Sequence, residues 1–345
     1  MRHFLLALVL TPSLVFAETK KLIEFGWDEP DAAFMRAHIA EMERTSFDGT
    51  VFHLNQDFLW QCWGKRAFTE AELKQPIADL KATPFKRFTH NFLRFNVTPG
   101  DVDWFDDFRP IVRNARLAAR IAREGRAAGI LFDIEQYNSA PFNYAKQRDA
   151  KTKSFDEYAA QAKKRGAEVM NAFQEGFGDL IVLMTWAHSL PHQQTGGDTA
   201  KLASVDYGLL KPFLDGMFQA ARGKAKIVDG FESSYSYKEA KQFDDALKLM
   251  RAAAGGNQHA SAGYGLWMDY DWRNKAWDEK DFSKNHFSPA EFEKSLKMAL
   301  ERADEFVWVY TETPRWWGKD GQVKLPAEYV EAVKRAVAAA STAGK

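Results

Sequence analysis

The chain has 345 residues with 47 basic and 47 acidic side chains, so its formal net charge at pH 7 is zero. This balance excludes the strongly basic surface that nucleic-acid-binding proteins need, and no nucleic-acid partner is expected. The single cysteine, Cys62, cannot form a disulfide within the chain, so the fold depends on its hydrophobic core. Aromatic residues make up 14% of the chain, which suits both a packed core and a surface that stacks on flat ligands.

Residues 1–17 have the pattern of a signal peptide. A basic start at Arg2 is followed by the apolar run 4–9, and Val15 and Ala17 stand at the −3 and −1 positions of a cleavage site. The apolar run is shorter than the ~20 residues that span a bilayer. We therefore expect cleavage after Ala17, a mature protein that is secreted or periplasmic, and no membrane attachment once the peptide is removed.

Residues 18–345 repeat one unit eight times, namely a short β-type run, a polar loop and a long amphipathic stretch. The predicted strands are residues 21–27, 50–54, 87–97, 129–137, 180–187, 227–235, 263–269 and 306–312. The predicted helices are residues 31–44, 70–82, 105–126, 155–177, 206–222, 238–254, 289–304 and 327–340. Strands that alternate with helices predict a parallel sheet, and eight such units predict its closure into a single (β/α)8 TIM barrel.

The alternative architecture is an open, doubly wound sheet. Such a sheet needs a glycine-rich turn after the first strand, and the run Phe-Gly-Trp-Asp-Glu-Pro at residues 25–30 does not provide one. The sequence also lacks a Gly-x-Ser-x-Gly elbow, a Walker loop and a dinucleotide fingerprint. Serine-hydrolase and nucleotide chemistry are therefore disfavoured, and no cofactor is expected. No internal linker rich in Pro, Gly or Ser divides the chain, which favours one domain.

The carboxyl ends of the strands form the active-site face of such a barrel, and in this chain they are acidic. The fourth predicted strand ends with Asp133 and Glu135, which alternation places on the inner side, while Phe132 and Ile134 face the helices. Two neighbouring carboxylates do not both ionise readily, so the pKa of one of them rises. We expect Glu135 to be a catalytic acid. Asp133 is then either its catalytic partner or a residue that orients its neighbours.

The run Gly-Ile-Leu-Phe-Asp-Ile-Glu at residues 129–135 resembles the fourth-strand signature of chitinase-like family 18 glycoside hydrolases, in which alternating acids follow a glycine and end in Asp-x-Glu. The resemblance implies a TIM-barrel glycoside hydrolase with Glu135 as proton donor and Asp133 as its partner. Leu131 stands where the signature has its earlier acid, and Tyr235 is the counterpart of the sixth-strand Tyr-Asp pair of that family. The sequence therefore predicts a similar barrel hydrolase rather than a chitinase.

A second carboxylate must face the acid across the sugar if the substrate does not supply its own nucleophile. Glu232 and Glu312 both stand at strand ends. Since the sixth strand is nearer to the fourth around the ring than the eighth is, we expect Glu232 to be the second catalytic carboxylate and Glu312 to bind sugar hydroxyls. Asp269, on the seventh strand, is an alternative for either role. A rim ion pair, for instance of Glu312 with Arg315 or Arg94, is the competing structural explanation.

Aromatic and polar residues near the same strand ends are expected to bind the sugar by stacking and by hydrogen bonds to its hydroxyl groups. The expected ligands are Tyr235, Trp267, Tyr310, Trp186, His53, Asn55, Asn96 and His188. Each of them alone has an ordinary explanation in packing beneath a loop. As a ring around the acids they predict a carbohydrate substrate.

Two other functions are left open. A non-catalytic barrel that binds glycans would keep the aromatic residues and tolerate the loss of Glu135. A metal-dependent hydrolase would use histidines, and His188 and His192 have the spacing of a helical ligand pair. Pro191 is expected to prevent a helix between them, and the first strand lacks a His-x-His pair, so no metal is expected. The function that the sequence favours over these two alternatives is a secreted glycoside hydrolase that uses carboxylates for general acid–base catalysis.

Overall fold

The computed structural model describes residues 20–318 and 324–343, so the predicted signal peptide lies outside the described residues. Nine strands occur in these ranges: β1 Lys21–Gly26, β2 Gly49–Phe52, β3 Phe92–Asn96, β4 Gly129–Asp133, β5 Ile181–Met184, β6 Lys226–Asp229, β7 Ala260–Ala262, β8 Tyr264–Trp267 and β9 Phe306–Thr311. The α-helices described there are α1 Ala32–Met42, α2 Gln56–Gln61, α3 Lys74–Ala82, α4 Arg109–Glu124, α5 Phe155–Gly176, α6 Ser189–Thr195, α7 Leu210–Ala220, α8 Ala240–Ala254, α9 Trp272–Lys275, α10 Pro289–Arg302 and α11 Ala327–Ala343.

The strands form one parallel sheet in the order β7-β6-β5-β4-β3-β2-β1-β9-β8. Only Gly263 separates β7 from β8, and β7 pairs with β6 whereas β8 pairs with β9. Residues 260–267 therefore serve as one barrel strand that changes neighbours along its length, and this strand completes the ring. The predicted α/β TIM barrel is confirmed, and the open, doubly wound alternative is wrong.

The barrel interior is filled by inward-facing strand residues, namely Ile23, Phe25, Val51, Phe92, Leu131, Leu183, Val228, Phe306 and Trp308. Trp308 fits because two neighbouring positions, Gly265 on β8 and Gly230 directly after β6, are glycines. A Cβ at Gly265 would lie 2.6 Å from the indole ring, and a Cβ at Gly230 would lie 3.0 Å from its Nε1. The indole Nε1 donates a hydrogen bond to the Gly230 carbonyl at 2.8 Å. This packed layer closes the barrel below the functional face.

The main helices form the outer layer against the other face of the sheet, where Phe132 and Ile134 belong to the larger core cluster, as alternation predicts. Their starts carry sequence signals: Ser154 and Ser288 each cap a helix through a reciprocal capping box. No helix within residues 20–318 and 324–343 has the length and apolar character needed to cross a membrane.

Some predicted boundaries are wrong in a way that matters for the site. The sixth strand ends at Asp229 instead of continuing to Tyr235, because Gly230 is followed by Phe231 with a φ of 43°, a left-handed conformation that a strand does not adopt. A single 3-10 turn, Glu232–Ser234, follows. Glu232 is therefore presented by a turn above the sheet and not by the strand itself.

Candidate active site

A cavity of about 500 Å³ opens at the carboxyl ends of the strands. Its volume lies within the range of pockets that bind small ligands. Its lining combines acids, arginines and aromatic rings, namely Phe25, Gly26, Trp27, Glu29, His53, Gln56, Leu59, Trp60, Arg94, Glu135, Tyr137, Glu232, Tyr235, Trp267, Arg273, Tyr310 and Glu312. The acidic strand ends identified in the sequence thus meet in one concave site.

Asp133 lies beneath the cavity and is fully buried. Its Oδ2 accepts hydrogen bonds from Arg94, at 2.6 Å from Nη2 and 3.2 Å from Nε, and its Oδ1 accepts the backbone N–H of Glu135 at 3.0 Å. Both oxygens are therefore used to hold neighbouring groups. These contacts are those of a carboxylate that orients its neighbours, one of the two roles that the sequence left open.

Arg94 stands on β3 between two carboxylates. Its side chain is 12% exposed, and its Nη1 and Nη2 lie 2.7 Å from Glu29 and 2.6 Å from Asp133. Burial works against the charge of Arg94, but the two acids outweigh burial and hold the pKa of the guanidinium above its ordinary value. The pKa of Glu29 is lowered in turn, because Arg94 and His53 outweigh the effect of its burial. The three side chains form a buried group in which one guanidinium lies between two carboxylates.

Glu135 follows directly after this group and lines the cavity. Burial, and then the nearby charge of Asp133, raise the pKa of Glu135 to about 7. The Tyr137 hydroxyl donates a hydrogen bond to Oε2 of Glu135 and partly opposes this rise. The same hydroxyl lies 3.4 Å from Oδ2 of Asp133. Burial, and then the charges of Asp133 and Glu135, raise the pKa of Tyr137, so the hydroxyl keeps its proton. Glu135 is thus a carboxyl group suited to hold a proton near neutral pH.

Glu232 lines the same cavity from the turn after β6. The backbone N–H of Glu232 donates to the carbonyl of Thr185 at 3.0 Å, which ties the turn to the end of the neighbouring fifth strand. Burial raises the pKa of Glu232 well above its ordinary value, and the negative charges of Glu135 and Asp133 raise it further. Its Oε2 is shielded from solvent and has no hydrogen-bond partner among the described residues.

Glu312 lies at the opposite side of the mouth, after β9, and is neutralised by a neighbouring arginine. Nη2 of Arg273 lies 2.7 Å and 2.5 Å from its two carboxylate oxygens, and Nε1 of Trp272 donates to Oε2 at 2.6 Å. The ion pair that the sequence suggested with Arg315 or Arg94 is therefore wrong, because α9 brings Arg273 to this carboxylate instead.

Asp269 does not line the cavity. It is 1% exposed and accepts the backbone N–H groups of Glu312 at 3.1 Å and Thr313 at 2.8 Å. Its Oδ1 also accepts Nε1 of Trp267 at 2.8 Å. Asp269 therefore fixes the chain that carries Glu312 and orients a cavity tryptophan, and the structure gives it no direct access to a ligand.

Aromatic rings surround these acids. Tyr235 and Tyr310 stack with ring centroids 5.5 Å apart, and Trp267 lies edge-on to both at 5.7 Å. At the mouth Trp27, Trp60 and Tyr137 are 54%, 36% and 47% exposed. In the described part of the chain only Phe105 is a further large apolar side chain with comparable exposure. Such a concentration of exposed rings at one cavity marks a binding surface.

Four predicted sugar ligands lie elsewhere, and these predictions are corrected. Asn55 caps α2 by accepting the backbone N–H of Phe58 at 2.8 Å. His188 does not point at the cavity because its Nε2 bonds Asp215 at 3.1 Å.

The other two are Trp186 and Asn96. Nε1 of Trp186 donates to the Ser233 hydroxyl at 2.9 Å, and Asn96 is completely buried. Neither lines the cavity, whereas His53 does, contacting Glu29 at 3.3 Å and Gln56 at 3.0 Å.

Within residues 20–318 and 324–343 no group of three or more His, Cys, Asp or Glu side chains is arranged to hold a metal ion. The expectation that Pro191 prevents a helix between His188 and His192 is wrong, because α6 forms across Pro191. A proline in the first helical turn lacks only an N–H that has no partner inside the helix.

Several cavity residues were missed from the sequence. Glu29, in the loop after β1, contacts Arg94 on β3, and no local pattern reveals this contact. Arg94 is nevertheless an inward-facing charge two residues after Phe92 in an apolar strand. That position is a usable signal, since a charge inside a barrel requires a partner. Tyr137 continues the spacing of Asp133 and Glu135 by two residues. Arg273 lies in a long loop and carries no comparable signal.

No family model and no curated protein matches this chain. Among solved structures, it is similar to a GH5-4 broad specificity endoglucanase from an uncultured bacterium, with a TM-score of 0.50, 12% identity and coverage of 90% of this chain and 86% of that chain. It is also similar to the endocellulase from Pyrococcus horikoshii in a complex with cellotetraose, with a TM-score of 0.50, 9% identity and coverage of 93% and 92%. At these identities the likeness concerns the barrel fold.

Proposed function

We propose that the protein is a glycoside hydrolase in which Glu135 is the general acid and Glu232 is the second catalytic carboxylate. One observation carries the proposal: these two carboxyl groups line one cavity, and neither forms an ion pair with any described residue. Burial then favours a state in which at least one of them is protonated. A protonated acid beside an ionised carboxylate is the arrangement that hydrolysis of a glycosidic bond requires.

In this mechanism Glu135 donates its proton to the glycosidic oxygen while the bond from that oxygen to C1 breaks. Because burial raises the pKa of Glu232, Glu232 must first lose its proton to take part. As a carboxylate it then assists attack at C1, either as the nucleophile or by accepting a proton from the attacking water. Asp133 accepts the backbone N–H of Glu135 and is itself bound by Arg94, so these two residues fix the chain at Glu135. Tyr137 donates a hydrogen bond that orients the Glu135 carboxylate.

The remaining cavity residues bind the sugar in this proposal. Trp27, Trp60, Trp267 and the tyrosines offer ring faces, and Glu312 with Arg273 and His53 offers polar groups for hydroxyls. The family 18-like run at 129–135 supports Glu135 as donor. With Leu131 in place of the earlier acid, the proposal does not extend to substrate-assisted cleavage of N-acetyl sugars. The predicted signal peptide makes the proposed substrate an exported or extracellular glycan.

The test begins with a glycan library that includes cello-oligosaccharides, because a structure with the same fold binds cellotetraose. Glu135→Gln keeps the shape and removes the transferable proton, so turnover of the best substrate should fall by about 10²-fold or more. An aryl glycoside with a good leaving group needs less protonation and should lose less. Glu312→Gln is the matched control, since it removes a carboxylate from the same mouth but not the acid.

Hydrolysis that is unchanged in Glu135→Gln would contradict the proposed mechanism. If the wild-type protein binds several glycans and cleaves none, the non-catalytic glycan-binding function replaces the hydrolase. If chelators abolish activity, the metal-dependent alternative gains support.

A further inference from the structure

The charges that line the cavity are unevenly partnered. Its lining contains the carboxylates Glu29, Glu135, Glu232 and Glu312 but only two guanidinium groups. Arg94 is bound by Glu29 and by Asp133 beneath it, and Arg273 is bound by Glu312. Both guanidinium groups are thus already neutralised, and Glu135 and Glu232 have no ion-pair partner in the described part of the chain. The site is acidic although the whole chain is electrically neutral.

This imbalance is costly because the two carboxyl groups are sheltered from water. Glu232 has one oxygen, Oε2, that neither meets solvent nor accepts a hydrogen bond among the described residues. A buried carboxylate without a partner is destabilising unless it takes up a proton or meets a cation. A ligand with a positive charge would therefore supply what the chain does not.

The rings beside Glu232 suit a cation as well. Tyr235 and Tyr310 stack on each other, and Trp267 stands against both. Aromatic faces attract ammonium and guanidinium groups, most strongly where water is excluded.

The mouth already shows this chemistry with a cation of the chain itself. The guanidinium carbon of Arg273 lies 5.4 Å from the centroid of Trp267 and 5.7 Å from that of Trp27, while its Nη2 donates to both carboxylate oxygens of Glu312. Glu232, with the tyrosines next to it, repeats this combination of a carboxylate and aromatic rings without an arginine or lysine.

We propose that the cavity takes a glycan whose units carry protonated amines, such as a 2-amino-2-deoxyhexose polymer, with an ammonium group bound by Glu232 and the adjacent rings. The inference rests on the proposed glycosidase function and names its substrate class. An ammonium at this point favours the ionised form of Glu232, while Glu135 keeps the proton that the leaving oxygen needs. Uronate or sulfated sugars are disfavoured, because Glu135 and Glu232 repel their anions.

Three tetrasaccharides with the same β-1,4-linked gluco backbone test this proposal, since they differ only at C2: cellotetraose, the glucosamine tetramer and the N-acetylglucosamine tetramer. Binding is measured by calorimetry in Glu135→Gln, which prevents turnover, at a mildly acidic pH at which the free amine is protonated. The glucosamine tetramer should bind at least about tenfold more tightly than cellotetraose, a difference of about 1.4 kcal/mol.

The assignment to Glu232 is tested by two double variants. Glu135→Gln with Glu232→Gln should remove the preference for the amine, whereas Glu135→Gln with Glu312→Gln should keep it, although both lose one carboxylate. Thermal unfolding of each variant, followed by circular dichroism, shows that the fold is kept.

The results of these experiments test the amino-sugar substrate class separately from the glycoside hydrolase function. If neutral glycans are cleaved with dependence on Glu135 and the amine confers no advantage, the substrate class is wrong and the hydrolase stands. If none of the three tetramers binds, or if the preference survives Glu232→Gln, the inference is overturned, and the hydrolase is judged on the glycan library alone.

Discussion

The end of the fourth strand and the ends of the last two strands use the same three residue types with opposite results. Each has a buried aspartate that accepts backbone N–H groups, and each has a glutamate that lines the cavity. In the first region the arginine, Arg94, binds the aspartate, and in the second the arginine, Arg273, binds the glutamate, Glu312. Glu135 consequently forms no ion pair within residues 20–318 and 324–343. Whether the arginine binds the aspartate or the glutamate therefore decides whether that glutamate is able to act as an acid.

The largest effect expected from this comparison concerns the two arginines. Arg94→Met leaves Glu29 and Asp133 buried without their cation, and should lower the free energy of unfolding by about 3 kcal/mol or more. Arg273 has a side chain that is 53% exposed, and its loss leaves only one buried carboxylate, Glu312, unpaired, so Arg273→Met should cost less, on the order of 1–2 kcal/mol. Urea denaturation at neutral pH measures both. Equal losses would show that the two regions are not different in the way described.

Glu135 and Glu312 should also differ in how they make the free energy of unfolding depend on pH. The pKa of Glu135, about 7 in the folded protein against an ordinary value of 4.5, means that the folded state binds more protons in this window. The contribution of Glu135 to the free energy of unfolding therefore falls as the pH rises from about 4.5 through about 7. Glu135→Gln removes this loss.

Above neutral pH, Glu135→Gln should accordingly be more stable than the wild-type protein by on the order of 2 kcal/mol, with little difference in the acid range. Glu312→Gln deprives Arg273 of its partner and should gain no stability at any pH in the same series. Thermal unfolding across the window provides the measurement, and a Glu135→Gln protein without any gain at alkaline pH would refute the account of its burial.

The smallest effect concerns Tyr137, whose hydroxyl donates to Glu135. Tyr137→Phe removes a hydrogen bond that favours the charged carboxylate, so the pKa of Glu135 should rise further. The alkaline limb of the profile of kcat/KM against pH should move upward by roughly half a unit, equivalent to about 0.7 kcal/mol. A limb that stays in place, or that moves downward, would exclude Tyr137 as a positioning residue.

The barrel and the positions of its acids could be predicted because they follow from repeating local patterns. Alternation along β4 correctly separated inward Asp133 from outward Phe132, and the same reasoning led to Tyr310 and Glu312 at the last strand. The division of one barrel strand at Gly263 does not follow from such a pattern. β7, before this glycine, pairs with β6, and β8, after it, pairs with β9. Which partner a strand meets is a long-range property that spacing does not reveal.

Errors at the site arose where one residue type serves two purposes. Asn55 has the side chain of a sugar ligand and also that of a helix cap, and the six-residue helix α2 decides for the cap. His188 begins α6, which directs it to Asp215 on α7. Glu29 and Arg273 escaped notice because their partners are remote in sequence. The ion-pair partners of these residues are determined by tertiary contacts and not by the local sequence.

Glu135 should hold a proton near neutral pH because it is buried, lies beside Asp133 and forms no ion pair with a described residue. Carbon-13 NMR of carboxyl-labelled glutamates measures this directly, with the Glu135 resonance assigned as the signal absent from Glu135→Gln. This carboxyl should titrate with a midpoint near 7 in the free wild-type protein. A midpoint close to the ordinary glutamate value of 4.5 would contradict it, since Glu135 would then be fully ionised at neutral pH and unable to protonate a leaving group.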